Sequence, residues 1–383
     1  MRAFVVLLAC MIAFPAVAQK NSAHDEDTIV VTGTSIKDSE TRLQACLARH
    51  CSPKEDIDAS LNLAENQFVA GDYNAARQTI AKSHHRNDRF AKAFPVDVAD
   101  LNRAWARVND ASGFVDTSRI QQIQSLDALK AGLDKHDGRV LAQRLMVADG
   151  FAKVGRIRAA DDMYNEVARQ ARKVGLPTVM GMAMLRDSVL YGAVASTQWS
   201  MREPAKLRLS RLERTTEPEL APFRDAVKVL RARLAMMDGD QTAFEKVVAD
   251  MPPRAERTPL LLYAPPISTE DLGPSPKTRT LVEQPQWIDL QFRVGGDGKV
   301  SDVAILRDSG NLDQNWPKLV ERRVGERRYA PMVLPAGTEL PARIERFSFV
   351  HDVTSSESDT RTRARSAVGR ITSLDLTPDA TSG

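Results

Sequence analysis

Apolar positions recur with the spacing of an α-helix through most of the first 250 residues. Ser52 and Glu55 frame a capping box, with Pro53 at the first helical position. The apolar residues that then share one helical face are Ile57, Leu61, Ala64 and Phe68. Only six of the 20 prolines lie in residues 41–251. Because proline interrupts helices, this stretch predicts an all-α domain.

Two turns in this region share one pattern. Residues 71–76 read Gly-Asp-Tyr-Asn-Ala-Ala, and residues 155–160 read Gly-Arg-Ile-Arg-Ala-Ala. The glycine predicts the end of one helix, and the small residue lets the next helix pack closely. The pattern resembles the turn between the two helices of a tetratricopeptide repeat (TPR). That resemblance implies a TPR-like helical-repeat domain, a class that usually binds proteins or peptides. An irregular helical domain is the alternative, since no 34-residue period is visible.

The hydrophobic pattern changes after residue 251. Residues 252–285 contain eight prolines in 34 positions, which predicts a Pro-rich linker. Apolar and polar residues then alternate from Ile288 to Val294, as in a half-buried strand, and Gly295–Gly298 predicts a hairpin turn. The second strand slips in phase near Ser301, which predicts a bulge. The elements expected to follow are a helix over 312–328, a short strand near Tyr329 and a last strand over 342–353.

This region, residues 286–353, resembles the TonB C-terminal domain. The residues that carry the resemblance are Trp287–Val294, Asp297–Val303, Leu306–Gly310, Arg328–Pro331, Gly337 and Arg346–Phe349. The resemblance implies a small α+β module in the periplasm that contacts outer-membrane receptors and helps to energise their transport. Gln286 and Trp287 depart from the family, which usually has a Tyr-Pro pair there. The expected fold class is therefore multidomain, with a helical-repeat domain followed by an α+β module.

A short β-branched segment near the N-terminus suggests a partner for that module. Residues 28–34 resemble the TonB box of TonB-dependent receptors, which adds a strand to the edge of a TonB C-terminal domain. The residues of the expected partner-binding strand are Ile29, Val30, Val31 and Thr32, and those of the expected exposed sheet edge are Arg346, Phe347, Ser348 and Phe349. We hypothesise that residues 28–34 dock on this module or on a separate TonB. An ordinary first strand or a disordered leader is the alternative.

The first 18 residues have the composition of a secretory signal peptide. Arg2 precedes an apolar stretch, and Ala16-Val17-Ala18 forms a small-x-small cleavage site. The apolar stretch is shorter than the roughly 20 residues of a membrane span, which disfavours an uncleaved anchor. We therefore predict a periplasmic protein that begins near Gln19. Lipidation at Cys10 is the alternative, because Leu7-Leu8-Ala9-Cys10 is similar to a lipobox.

Cleavage after residue 18 would leave two cysteines, Cys46 and Cys51. An oxidising compartment favours a disulfide between them. A redox pair is the alternative reading, although the spacing is not that of a Cys-x-x-Cys motif.

Composition limits the remaining classes. The net charge is +3, from 53 basic and 50 acidic residues, which argues against a dedicated nucleic-acid-binding protein.

The segment 19–40 is polar apart from its β-branched run, so we expect a flexible leader there. The segment 354–383 is rich in serine and threonine, and we expect a disordered tail.

No pattern in the sequence indicates a catalytic residue, a cofactor or a metal site. Asp161-Asp162 is expected to be a solvated helical face. The cluster of arginines at 322, 323, 327 and 328 is expected to be a solvated helix end rather than a lipid or phosphate site. The sequence therefore predicts a protein-interaction protein that is not an enzyme and acts near TonB-dependent receptors. A periplasmic scaffold or adaptor without a transport role is the alternative.

Overall fold

The computed structural model describes residues 34–240, 242–254, 258–269, 272, 284–312, 315–334, 340–355 and 363–377. The signal peptide, Cys10 and residues 28–33 of the TonB-box-like segment lie outside these residues. Within the described ranges, none of the helices combines the length and apolarity that crossing a membrane requires.

The chain divides into two compact units that interleave along the sequence. One unit contains His84–Asp110 and Phe114–Arg254. The other contains the described residues up to Ser83, the short segment Ala111–Gly113 and the described residues after Arg254. The prediction of a single helical domain over 41–251 is therefore wrong, because most of the first three helices belongs to the unit that contains the sheet.

The first three helices belong mostly to the sheet-containing unit. They are α1 (Ile36–Ala48), α2 (Pro53–Val69) and α3 (Tyr73–Asn87). The predicted capping box of α2 is present, with both of its reciprocal hydrogen bonds between Ser52 and Glu55. We expected a flexible leader over residues 19–40, and this expectation is wrong for residues 36–40, which belong to α1. Ser35 caps α1 by accepting a hydrogen bond from Asp38 N, and α1 packs against α2.

The other unit is built from the helices that follow. They are α4 (Pro95–Ala111), α5 (Val115–Gly132), α6 (Gly138–Lys153), α7 (Ile157–Lys173), α8 (Pro177–Thr197), α9 (Arg202–Glu213), α10 (Ala221–Met237) and α11 (Thr242–Ala249). Each helix from α5 to α9 packs against the next, and α10 packs against α8, α9 and α11. The predicted helical-repeat character is present as this sequential stacking of helices.

Short turns join α6 to α7 and α7 to α8. Gly155 and Gly175 end the preceding helices with φ angles of 74° and 70°, the left-handed conformation that glycine adopts most easily. Ala160, on the first turns of α7, is fully buried. The glycine and the small residue therefore have the roles that the sequence pattern predicted, and such short turns make the joined helices antiparallel.

The described C-terminal residues of the sheet-containing unit form six strands and one α-helix. They are β1 (Leu261–Tyr263), β2 (Gln286–Val294), β3 (Val300–Asp308), α12 (Trp316–Gly325), β4 (Arg328–Tyr329), β5 (Ala342–Ser355) and β6 (Arg363–Asp375). One sheet has the strand order β3-β2-β5-β6, and every pair in it is antiparallel. A second, small sheet pairs β1 with β4. Because β1 lies within 252–285, the expected linker contains an ordered strand.

The predicted features of the first hairpin are present. Gly298 N donates to Gly295 O in the turn. The pairing of β2 with β3 shifts between Gln291 and Arg293, opposite the segment that contains Ser301, and the adjacent Asp302 has a φ of 52°. This irregularity confirms the expected bulge.

The last strand corrects two expectations about the C-terminus. The expected disordered tail over 354–383 is wrong for residues 363–375, which form β6 and pair along β5. The expected sheet edge at Arg346–Phe349 is also wrong, because β5 lies between β2 and β6. A polar segment can be ordered in this way because β5 supplies its backbone partners. Gly369 also leaves room for the Phe349 ring, which a side chain there would overlap.

Helix α2 ends against the sheet within its own unit. Gly71 follows α2 with a φ of 90°, and a Cβ atom there would lie 2.6 Å from Nε1 of Trp287. Tyr73 packs its buried hydroxyl 3.1 Å from Oγ of Ser348. Arg346 donates to the carbonyls of Phe68 and Val69 at 2.9 and 2.7 Å. These contacts satisfy carbonyls at the C-terminus of α2, which have no partner inside the helix.

The two residues that depart from the TonB family both have packing roles. Gln286 is buried and accepts a hydrogen bond from Trp316 Nε1 at 3.0 Å. The Trp287 ring lies under the guanidinium of Arg346, with Cζ 4.0 Å from the ring centroid. Both residues therefore anchor β2, one to α12 and the other to β5.

Candidate functional site

A recess opens between three consecutive helices of the helical unit. It encloses about 10 Å³, roughly the space of one water molecule, and most of the surrounding 220 Å³ is open to solvent. The residues that line it are Tyr164, Asn165 and Ala168 from α7, Ala183, Met184 and Asp187 from α8, and Arg208 and Arg211 from α9. The recess therefore has an apolar floor together with acidic, basic and amide groups.

Arg208 is held in place from two sides. Its guanidinium lies 3.8 Å from the centre of the Tyr191 ring, and Nη2 donates to Asp161 at 3.2 Å. The Tyr191 hydroxyl donates to the same carboxylate at 2.9 Å. Burial, followed by that hydrogen bond to Asp161, raises the pKa of Tyr191 to about 12. The stacking and the shared carboxylate fix the plane of the guanidinium.

Asp187 is the buried acidic group of the recess, with 5% of its surface exposed. Its Oδ2 lies 3.5 Å from Nε of Arg208. No residue in the described part of the chain donates a hydrogen bond to its Oδ1, and none accepts one from Arg208 Nε. Burial, with a smaller contribution from the charge of Asp161, raises the pKa of Asp187 to about 7, against the opposing effect of Arg208.

A half-buried carboxylate ties the neighbouring helices together. Asp149 on α6 accepts hydrogen bonds from the Tyr164 hydroxyl at 2.5 Å and from Arg186 Nη1 at 2.6 Å. Burial raises the pKa of Asp149, and Arg186 acts in the opposite direction. This group joins α6, α7 and α8 and so supports the wall of the recess.

At the mouth of the recess, Arg211 is exposed and donates to Asn165 Oδ1 at 2.8 Å. Asn165 in turn donates to the backbone carbonyl of Asp161 at 2.9 Å. Charges of both signs therefore surround one small cavity. A single water molecule, which can both donate and accept, is the size of group that this space can hold.

The sequence interpretation missed this site. Asp161 was expected on a solvated face, but it is half-buried and is bonded to Tyr191 and Arg208. The sequence did contain one indication that residues of α7 share a face. The 3–4 spacing of a single helical face is followed by Asp161, Tyr164, Asn165 and Ala168. The residues from α8 and α9 could not be associated with them without the packing of the helices.

The residues singled out from the sequence lie elsewhere. Cys46 in α1 and Cys51 are joined by the expected disulfide, with their Cα atoms 5.2 Å apart. Between them, His50 has a φ of 53°, which turns the chain sharply. The four residues Ile29–Thr32 lie outside the described residues. Arg346–Phe349 form the middle of β5, where all four residues pair with β2 as well as β6.

The expected solvated arginine cluster is only partly solvated. Arg327 is buried, and its Nη1 donates to both carboxylate oxygens of Glu345 at 2.9 Å. It also stacks near the rings of Phe292 and Phe347. Arg327 is therefore part of the packing between the helix end and β5, and the expectation was wrong for this residue.

Comparisons with known proteins give only structural matches. No protein-family model matches the chain, and no curated relative matches it. A Podosopora anserina protein described as a kinesin light chain with nearly identical TPR-like repeats is 16% identical, with a TM-score of 0.39, covering 52% of this chain and 93% of its own. BtubC (BKLC) from P. vanneervenii is 16% identical, with a TM-score of 0.42, covering 61% and 97%.

The packing of its own helices assigns this chain to the class of helical-repeat proteins. Its C-terminal sheet and α12 form an α+β region in the other unit. The expected multidomain layout is present at this level of description.

Proposed function

We propose that this protein binds other polypeptides, with the helical unit as its main binding surface. The observation that carries the proposal is the sequential packing of the helices from α5 to α9, which is the architecture of helical-repeat proteins. Helical-repeat proteins commonly bind proteins or peptides on surfaces of this kind.

The finer proposal concerns location and partners. We propose a periplasmic, TonB-like protein that associates with outer-membrane TonB-dependent receptors and their energy-coupled transport. Support comes from the resemblance of residues 286–353 to the TonB C-terminal domain, from the order of their strands and helix, and from the expected signal peptide over residues 1–18.

One observation favours the alternative, a periplasmic scaffold without a transport role. Strand β6 pairs along the side of β5 that would otherwise be the sheet edge. A receptor segment that adds a strand to β5 would have to displace β6 first. The scaffold role and the transport role therefore differ in whether this strand is displaced.

Affinity capture from envelope membranes tests these proposals. We expect the tagged protein, beginning at Gln19, to recover TonB-dependent receptors above a tag-only control. A truncation after Ser355 removes β6 and should increase that recovery, whereas a truncation after Thr377 keeps β6 and is the matched control. Circular dichroism establishes that both variants are folded.

Each outcome separates the candidates. Recovery of other envelope proteins without receptors, in both truncations, would favour the scaffold. Recovery of no polypeptide above the tag-only control would contradict the proposed function as a whole.

The docking of residues 28–34 stays a prediction. The described part of β3 pairs with β2 alone, so the sheet offers a second edge for an added strand. Replacing Ile29–Thr32 with glycine and serine should change the affinity of the protein for a receptor-box peptide. If the affinity is unchanged and the intact protein does not bind an isolated TonB C-terminal domain, the docking hypothesis is wrong.

A further inference from the structure

We propose that residues 28–33 of this chain form an added strand on the free edge of its own β3. The segment lies just before α1, and β3 is the outermost strand on its side of the sheet. This inference rests on the proposed function, because it names the segment with which a strand-forming partner would compete for the edge. Support comes from the exposure of β3, the place where the chain enters α1 and the charges around the segment.

Strand β3 is exposed along most of its length. Among the described residues it pairs only with β2, so its outer row of backbone donors and acceptors faces no other strand. Ile305 is 37% exposed and Leu306 is 49% exposed. Ile305 lies opposite Leu290 in the register, and Leu290 is fully buried in the core of the sheet. An added strand would therefore continue this core past β3.

The chain enters α1 near the C-terminal end of β3. Ser39, in the first turn of α1, accepts a hydrogen bond from Nδ2 of Asn66 on α2 at 2.6 Å. Val69 lies one turn further along α2, and its carbonyl accepts from Arg307 Nη2 at 3.2 Å. These two contacts bring the start of α1, the end of α2 and the end of β3 together. The segment that precedes α1 is therefore tethered beside an exposed strand.

This tether also sets the direction of the added strand. Gly33 is joined through Thr34 to Ser35, which caps α1, so only a short connection separates the segment from the Arg307 end of β3. A segment that extends from this end toward Val300 runs parallel to β3. The antiparallel direction would first require the chain to cross the length of the nine-residue strand, about 30 Å.

The composition of the segment suits this role. Residues 28–32 are all β-branched and include no proline. In a strand, Ile29 and Val31 face one side of the sheet and Val30 faces the other. These side chains can cover the exposed Ile305 and Leu306. Burial of apolar surface would therefore add to the backbone hydrogen bonds of the new pair.

Charges near the segment agree with the parallel direction. The acidic run Asp25–Asp27 precedes the β-branched residues, and in a parallel strand it lies toward the start of β3. Lys299 directly precedes β3, and its side chain is 68% exposed. Its ion pair with Asp297, at 3.6 Å, is at the surface and contributes little, so Lys299 can also interact with the acidic run.

Hydrogen exchange measured by mass spectrometry tests the proposal in the protein that begins at Gln19. Val30→Pro together with Val31→Pro removes two backbone donors and prevents pairing of the segment. Ala23→Pro is the matched control, because it places a proline in the leader outside the segment. We expect the amides of β3 that do not bond to β2 to exchange at least about tenfold faster in the double-proline variant than in the control, with β5 unchanged.

A second measurement supplies the segment as a separate molecule. A protein that begins at Thr34 lacks the segment, and its β3 should exchange as fast as that of the double-proline variant. A peptide of residues 25–33 should restore slow exchange saturably. The same peptide with Ile29–Thr32 replaced by glycine and serine should not. Circular dichroism establishes that each variant is folded.

The concentration dependence identifies the chain that supplies the strand. Slow exchange in β3 that stays constant over about a hundredfold range of protein concentration supports pairing within one chain. Slow exchange that increases with concentration would assign the strand to a second copy and overturn the proposal. Equal exchange of β3 in the double-proline variant and in Ala23→Pro would also overturn it.

The proposal and the proposed function can fail separately. If envelope polypeptides are captured although β3 exchanges equally in the two proline variants, polypeptide binding stands and only the added strand is wrong. If β3 is protected by the segment but no polypeptide is captured, the added strand stands and the proposed function is wrong.

Discussion

Arg346 in β5 donates two hydrogen bonds to the carboxylate of Asp289 in β2, with N–O distances of 2.6 and 2.9 Å, and both residues are 1% exposed. The same guanidinium donates to the last carbonyls of α2. The pair therefore joins two neighbouring strands to the helix that packs on them. Arg307 from β3 adds a third contact to the same carboxylate.

Replacing Arg346 with methionine should strongly destabilise the sheet-containing unit. The change leaves Asp289 buried with a partner only in Arg307 and removes one hydrogen-bond donor from each of the carbonyls of Phe68 and Val69. We expect a loss of about 3–5 kcal/mol in the free energy of unfolding, measured by urea denaturation. Arg323→Met removes a more exposed pair between Arg323 of α12 and Glu326, which follows that helix, and should cost at most about 1 kcal/mol. Equal losses in the two variants would contradict a special role for Arg346.

Gly71→Ala should destabilise the protein more than Gly155→Ala. Both glycines end helices with positive φ, so each alanine incurs about 1–2 kcal/mol of backbone strain. At Gly71 the new Cβ would also overlap Trp287, whereas no atom lies within 4 Å of the corresponding position at Gly155. The overlap should add at least about 1 kcal/mol. Urea unfolding of the two variants measures the difference, and a smaller loss at Gly71 would show that Trp287 does not lie there.

The Cys46–Cys51 disulfide should stabilise the junction of α1 and α2 by about 2 kcal/mol. Changing both cysteines to serine should lower the free energy of unfolding by that amount, and the wild type should show the same loss after reduction. The double variant itself should not respond to a reductant. In the protein from Gln19 onward, two reactive thiols after denaturation without reductant would show that the bridge is absent.

Asp187 should make the helical unit less stable as the pH rises from about 4 to about 7. Its folded pKa is raised to about 7 from an ordinary value of 3.8, so the folded protein holds a proton that the unfolded chain releases. The stabilisation that comes from this extra proton is complete below pH 4 and is lost above pH 7. Burial is the main cause of the raised pKa of Asp187; the charge of Asp161 adds to it, and those of Arg208 and Arg211 oppose it.

Asp187→Asn removes this titration and should flatten the unfolding free energy between pH 4 and pH 7. Urea denaturation followed by far-ultraviolet circular dichroism at several pH values measures the slope. Asp162→Asn is the control, since that side chain is exposed, and it should keep the wild-type slope. A wild-type slope that survives in Asp187→Asn would contradict the assignment.

Local patterns in the sequence determined most of the elements. The capping box at Ser52, the glycine ends at Gly71 and Gly155 and the alternation from Ile288 to Val294 depend on residues a few positions apart. Helix caps, left-handed glycines and strand periodicity are short-range effects, so the sequence alone was enough to predict them.

Only the tertiary structure decided which elements share a unit and which residues form the candidate site. Most of the first three helices joins a sheet that begins more than 200 residues later, through contacts such as Arg346 to Val69. Strand β6 is ordered by backbone pairing with β5, which its polar composition does not reveal. Asp187 and Arg208 meet because α8 and α9 pack together. Hydrogen bonds and ion pairs between distant segments depend on the final position of each backbone, and no local pattern encodes that position.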